Sequence, residues 1–264
     1  FTMTGIERIA NAFQAAGTAF MPYAVLGYPA PDLSLQVVQA LVAAGADLLE
    51  LGVPFSDPLA DGPTIQAATQ RALERGVTLA DCIAMVAELR TRGIDTPALL
   101  MGYVNPILAY GIERFVADSA GAGVDGFIIP DLPPEEAKEL EVACQQHGLA
   151  LVYLLAPTSP LPRIELIAER SQGFIYLVSL TGVTGARNRL PPDLADFVAR
   201  VRNITRKPLA VGFGIGSGKH AQAVAQLADG VIVGSALVQR AGQSLESVHE
   251  LAAELRRALD GSDL

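Results

Sequence analysis

Glu50 sits at the end of an apolar run, between Leu49 and Leu51 with Val53 close behind, and two more acids, Asp57 and Asp61, follow in a loop bounded by glycine and proline. An acid among such neighbours loses hydration, which disfavours its charged form and lets the carboxyl keep a proton near neutral pH. Glu50 is therefore a candidate general acid. Asp61, eleven positions further on, is expected to fold back over the same cavity while staying wetter and ionised. Two carboxyls in unlike environments suit acid–base work. The competing reading is structural: Glu50 capping a neighbouring backbone group, with Asp57 and Asp61 as ordinary turn residues.

The elements that must hold these acids are legible in the alternation of apolar runs and helical patterns, the mark of parallel βα units. Eight runs read as strands: 20–26, 47–52, 98–101, 126–130, 149–155, 174–179, 209–213 and 230–234. Helical patterns cover 33–44, 64–75, 79–92, 112–122, 134–146, 160–171, 192–203, 219–227 and 245–259, after an amphipathic opening over 5–16. Several begin with proline or an acid, as helix starts should. The repeat predicts an α/β chain, a single (β/α)8 barrel over residues 1–264 with an extra N-terminal helix, and no Ser/Gly-rich linker divides it. A doubly wound open sheet is the alternative, but its Gly-x-Gly-x-x-Gly after the first strand is absent. In a barrel, strand ends and the loops that follow share one face, where Glu50 and Asp61 would meet.

The formal charge of −9 and a pI near 4.8 argue against a nucleic-acid surface, which needs clustered Lys and Arg. Mean hydropathy is +0.35, yet no apolar run reaches the roughly 18 residues of a membrane span. No signal-peptide pattern is evident at the N-terminus. Cys82 and Cys144 lie far apart in helical stretches and read as free thiols of a reducing cytoplasm, or of a plastid stroma in a plant. His147, His220 and His249 form no ligand spacing, so no metal site is expected.

Glycines crowd the late barrel, at 181–186, at 212–216 and at Gly234-Ser235. There they let backbone N–H groups approach a ligand, and the last loops of a barrel with a short helix N-terminus are a frequent phosphate site. The stretch Gly214-Ile215-Gly216-Ser217-Gly218-Lys219-His220 has the look of a P-loop, but its glycine spacing fails and His220 replaces Ser/Thr. Interleaved with these glycines, Tyr23, Leu100, Tyr103, Ile128, Leu154, Tyr176 and Phe213 at the strand ends suit a flat aromatic ligand with a phosphate tail.

The string from Leu49 to Pro63, Leu-Glu-Leu-Gly-Val-Pro-Phe-Ser-Asp-Pro-Leu-Ala-Asp-Gly-Pro, resembles almost letter for letter the signature of the tryptophan synthase alpha subunit family. Further matches run along the chain: Met101-Gly102-Tyr103-Val104-Asn105-Pro106, Pro130-Asp131-Leu132-Pro133, Leu155-Ala156-Pro157-Thr158, Thr181-Gly182-Val183-Thr184-Gly185-Ala186-Arg187, Gly212-Phe213-Gly214-Ile215 and Val233-Gly234-Ser235-Ala236. The resemblance implies cleavage of indole-3-glycerol phosphate to indole and glyceraldehyde 3-phosphate. By it, Glu50 and Asp61 are the catalytic pair, and Gly185, Gly214, Gly234 and Ser235 hold the phosphate. Tyr176 lies close to the substrate, and Thr184 reaches the catalytic Asp when the site closes. Tyr23 stands where some members have Phe, and Leu180 where some have Arg. Asp57, Pro58, Asn105 and Pro106 match positions at or near the contact with a beta subunit, in an alpha2beta2 complex. Pyridoxal phosphate is expected only in that partner, and no cofactor in this chain. A stand-alone indole-releasing lyase, a phosphate-binding barrel isomerase and a non-catalytic barrel partner are the competing functions.

Overall fold

A computed structural model describes residues 3–178, 191–212 and 214–261. Nine parallel strands form one sheet in the order β5-β4-β3-β2-β1-β9-β8-β7-β6. They are β1 (Ala19–Val25), β2 (Leu49–Gly52), β3 (Ala98–Met101), β4 (Gly126–Ile128), β5 (Ala150–Val152), β6 (Leu154–Leu155), β7 (Ile175–Val178), β8 (Leu209–Gly212) and β9 (Gly230–Val233). The two ends of that order are consecutive in the chain. β5 and β6 are one run interrupted at Tyr153, whose N–H turns aside to the Ser171 hydroxyl while its carbonyl accepts from Tyr176 N–H. Continuity through Tyr153 brings the sheet round on itself, so the eight-strand barrel of the sequence is present with its fifth strand broken in two.

At the N-terminal end the barrel is fastened by a repeated device. Asp47, Asp125 and Asp229 each precede a strand, and each exchanges two hydrogen bonds with the neighbouring strand. Their carboxylates accept from Phe20, Ala98 and Leu209 N–H, all at 2.8 Å, and their own N–H groups donate to the carbonyls of those residues at 2.9 Å. An arginine from the outer helices completes each pair: Arg256, Arg90 and Arg202. Asp125 takes a second, Arg8, at 2.6 Å. Arg8 belongs to α1 (Gly5–Ala15), which starts with a Thr4–Glu7 capping box. This helix closes the bottom of the barrel: a side chain at Gly5 would stand 2.2 Å from the Asp125 carbonyl oxygen, and Phe13 packs on Phe174 at 5.4 Å.

The outer layer comprises α2 (Pro31–Ala43), α3 (Pro63–Glu74), α4 (Leu79–Thr91), α5 (Val104–Tyr110), α6 (Ile112–Gly121), α7 (Lys138–His147), α8 (Leu161–Arg170), α9 (Leu194–Arg202), α10 (Gly218–Ala225), α11 (Ser235–Ala241) and α12 (Leu245–Leu259). The helix predicted over 134–146 is a 3-10 turn at Pro134–Glu136 followed by α7. Two helices, α5 and α11, are not among the predicted elements; at seven residues each they are too short to display a 3.6-residue period. Both lie on the C-terminal face. Among the described residues no helix is long and apolar enough to cross a membrane, and no His/Cys/Asp/Glu group could hold a metal ion. Cys82 and Cys144 are free and buried.

Candidate active site at the C-terminal face of the barrel

Glu50 is central to β2, 1% exposed, and neither carboxyl oxygen has a hydrogen-bond partner among the described residues. A capping role is thereby set aside. An isolated buried carboxyl favours its protonated form. Burial first, and the charge of Asp61 second, push its pKa up to about 8.

Asp61 closes the loop between β2 and α3. Its N–H donates to the Pro58 carbonyl at 3.0 Å, and its own carbonyl accepts from Gln66 Nε2 at 2.8 Å. Its Oδ2 accepts from the Tyr103 hydroxyl at 3.1 Å, and that hydroxyl accepts from Ala60 N–H at 3.0 Å. Asp61 is wetter than Glu50, as expected, although at 6% exposed it too is buried. Burial raises its pKa to about 6 against the lowering effect of the Tyr103 hydrogen bond. The order of the two acids stands: near neutral pH Glu50 holds its proton and Asp61 does not.

Strand register assigns the remaining side chains to faces, because directly paired residues point the same way and the face alternates every residue. Tyr23 pairs with Glu50, and Gly52 lies two residues further along the same face. A Cβ at Gly52 would stand 2.0 Å from the Tyr23 hydroxyl, and one at Gly212 would stand 2.4 Å from that of Tyr176. Each tyrosine ring thus lies over a glycine, inside the barrel. Burial and the nearby acids push both phenols up, keeping them neutral. Ile128 pairs with Met101, which pairs with Gly52, so both share the inner face. Leu154 pairs with Tyr176 and opens on a cavity of about 330 Å³ between the loop at 129–134 and α8. Leu100 is a correction: Leu99 is the partner of Glu50, so Leu100 faces outward, where it lines a small cavity with Leu79 and Phe115. Met101, unmarked in the sequence reading, occupies the inner position, and the two-residue alternation from Leu99 was the signal for it.

Of the glycine clusters, Gly214 takes a left-handed conformation, φ 78°, and the turn it makes brings Gly216 against Ala236 of α11. Gly234 is the N-cap of α11 and Ser235 its first residue. A helix start leaves its first amides without acceptors in the helix. The turn after β8 and this helix start are therefore adjacent. Thr184, Gly185, Leu180 and Phe213 lie outside the described residues. On the rim, Asp57 and Asn105 are exposed and Pro58 and Pro106 half-buried. Leu59, 84% exposed, and Leu108, 55% exposed, flank them and add an apolar component that the sequence reading missed.

A closed parallel barrel carrying two buried acids of different proton affinity at its C-terminal mouth defines a (β/α)8 enzyme equipped for acid–base chemistry. The chain belongs to the tryptophan synthase alpha chain family. The family model described as tryptophan synthase alpha chain matches residues 9–261. The tryptophan synthase alpha chain of Chloroflexus aggregans is 56% identical over 234 residues, covering 89% of this chain and 88% of the relative. That of Roseiflexus castenholzii is 54% identical over 261 residues, covering 97% and 100%. A chain from a solved Mycobacterium tuberculosis tryptophan synthase superposes with a TM-score of 0.90 at 39% identity, covering 98% of this chain and 99% of that one. The family's activity is cleavage of indole-3-glycerol phosphate, and this chain is a carbon–carbon lyase of that kind.

Proposed function

We propose that Glu50 and Asp61 carry this cleavage between them. Breaking the bond between indole C3 and the glycerol phosphate needs a place for its electron pair. The indole ring becomes that place once it is protonated at C3, which leaves the ring nitrogen positive. Glu50, the group that holds a proton at neutral pH, donates it to C3. The resulting carboxylate then accepts the proton of the glycerol hydroxyl as that carbon becomes the aldehyde carbon and the pair returns to the ring. Asp61, ionised, accepts a hydrogen bond from the indole N–H and stabilises the developing positive charge. The observation that carries the assignment is Glu50 itself: a buried acid with no hydrogen-bond partner among the described residues, on a strand, beside two neutral tyrosines.

This route asks nothing of a Schiff-base lysine. Lys207 Nζ donates to the Glu169 and Ser171 carbonyls at 3.0 and 2.6 Å, on the far side of the barrel, while Lys138 opens α7 and Lys219 lies in the first turn of α10. Amides around Gly214, Gly234 and Ser235, with Gly185, hold the phosphate as a positioning handle; Tyr23, Ile128, Leu154, Tyr176, Phe213 and Thr184 enclose the ring and its linker. We take residues 1–264 as a single cytoplasmic domain that needs no cofactor of its own and pairs with a beta subunit, which holds pyridoxal phosphate, through Asp57, Pro58, Asn105 and Pro106. The exposed Leu59 and Leu108 support a protein contact there. Indole release from indole-3-glycerol phosphate by the purified chain, with and without beta subunit, tests the reading. Wild-type turnover by a folded Asp61→Asn or Glu50→Gln chain refutes the assignment of the pair.

A further inference from the structure

Two of the motifs quoted above have no part in the chemistry, Met101-Gly102-Tyr103-Val104-Asn105-Pro106 after β3 and Pro130-Asp131-Leu132-Pro133 after β4. They meet in the structure. Tyr103 is the N-cap of α5 and has no side-chain cap bond of its own to offer; instead the Asp131 carboxylate crosses from the next loop and accepts from Val104 N–H with both oxygens, at 3.0 and 3.3 Å. This fixes the backbone at the point where Tyr103 leaves it. The Tyr103 side chain is buried and runs under the loop that carries Asp61. That loop touches it three times: the Phe55 ring at 5.3 Å between centroids, Ala60 N–H donating to the phenol oxygen, and Asp61 accepting from it.

We propose that Tyr103 is a positioning residue for Asp61, orienting its carboxylate toward the reacting ring, and that Asp131 holds Tyr103 for the purpose. The proposal rests on the role given to Asp61 above. A loop between β2 and α3 has many conformations to lose before a carboxylate at its end is fixed. Tyr103 removes them with one rigid ring. Its hydroxyl is saturated in an ordered sense: the oxygen is occupied by Ala60 N–H, so its single proton is directed to Asp61. A hydrogen bond given to a carboxylate favours the charged form, and the charged form is the one that accepts from an indole N–H. Facing Asp61 are Glu50 from β2, Tyr23 from β1 and Tyr176 from β7, with Asp131 behind Tyr103 from the loop after β4. Burial opposes ionisation of Asp61, and the Tyr103 hydrogen bond acts the other way.

The test is Tyr103→Phe, which keeps the ring under the loop and deletes only the hydroxyl. Carboxyl carbon NMR of the full ligand-free chain follows Asp61 directly, its resonance assigned by its loss in Asp61→Asn. The midpoint should rise by about one to two pH units, and kcat near pH 6 should fall about tenfold while recovering toward wild type as pH approaches 8, with KM changed by less than about twofold. Asp131→Ala, which leaves Tyr103 in place, should move both readouts the same way by less. An Asp61 titration that is unchanged in Tyr103→Phe overturns the proposal, as does a kcat loss that is uniform across pH, since that is the signature of a merely structural defect. An unshifted Asp131→Ala removes Asp131 from it. Asp61→Asn separates this from the parent reading: full turnover there refutes the role of Asp61, whereas the NMR midpoint decides the hold of Tyr103 on the carboxylate independently of activity.

Discussion

Glu50→Gln should separate catalysis from stability, because the burial that fits Glu50 for the proton-donor role proposed above also makes it costly to fold. Its ordinary pKa of 4.5 moves to about 8 in the folded chain. Below pH 4.5 both states hold the proton and the group contributes nothing to the pH dependence. Between 4.5 and 8 the folded chain holds a proton that the unfolded chain has released, so wild-type stability falls by about 1.4 kcal/mol per pH unit. Above pH 8 both states are ionised and the loss is complete, on the order of 5 kcal/mol, for a side chain 1% exposed. Glutamine has no such titration. Its buried amide carries a penalty of about 1–3 kcal/mol if it finds no partner, but that offset is the same at every pH.

The diagnostic is therefore a slope. Urea unfolding of both proteins at about pH 5, 6.5 and 8 should show Glu50→Gln gaining on wild type steadily as pH rises, while indole release drops by about 100- to 10,000-fold. Parallel stability lines would refute the buried, protonated acid, whatever the activity did. Retained activity with diverging lines would leave Glu50 a buried acid of no catalytic use.

Three further outcomes are expected. Gly234→Val should weaken glycerol phosphate binding at least tenfold by filling the space before the first turn of α11, measured by calorimetry against the dephosphorylated ligand; equal losses for both would show that the residue shapes the barrel and does not read phosphate. Asp125→Ala should remove about 3–5 kcal/mol of stability by leaving Arg90 and Ala98 N–H without their buried acceptor, seen as a lower urea midpoint with unchanged kcat per folded chain; a midpoint within about 1 kcal/mol of wild type would mean the pairs are merely surface-like. Asp57→Ala should reduce the acceleration by saturating beta subunit more than the basal rate, since Asp57 is exposed on the rim; equal reduction of both rates would place it in the site instead.

The barrel was legible because its signals are long. Eight apolar runs separated by helical periods leave few topologies open, and each predicted strand has a counterpart within a few residues. Asp47 shows why boundaries moved: an aspartate that reads as the start of a strand is spent on the Phe20 N–H and on Arg256, and β2 begins at Leu49. Its two companions, Asp125 and Asp229, form the same staple with partners that the sequence holds far away, so no local pattern shows it. In the site, the apolar neighbours of Glu50 marked it as a candidate acid but left the capping reading open, which only its unpartnered oxygens set aside. Leu100 could not be placed until the register was known, since Leu99, Leu100 and Met101 are alike in chemistry and differ only in the face they occupy. The depth at which Asp61 sits was not legible for a related reason: the hydroxyl that donates to it belongs to Tyr103, some forty positions on, brought there by the next strand.

The two acids also differ in what can act on them. Glu50 is fixed by the ladder on both sides, paired with Tyr23 and Leu99, and a strand inside a closed barrel has no low-energy alternative position. Asp61 hangs from a loop whose outer turn, Asp57 and Leu59, is exposed and whose inner end is held by a tyrosine at the head of a short helix that also presents Asn105 and Leu108 to the outside. A protein seated on that rim touches both supports of Asp61 and neither support of Glu50. On the roles proposed for the two acids, regulation from the surface should work through Asp61, the group assigned to the positive charge on the indole nitrogen, before it reaches Glu50, and linkage makes the bound substrate strengthen the same contact in return. The proton affinity of Asp61 should accordingly follow the partner directly, and that of Glu50 should respond only at second hand, through the charge of Asp61.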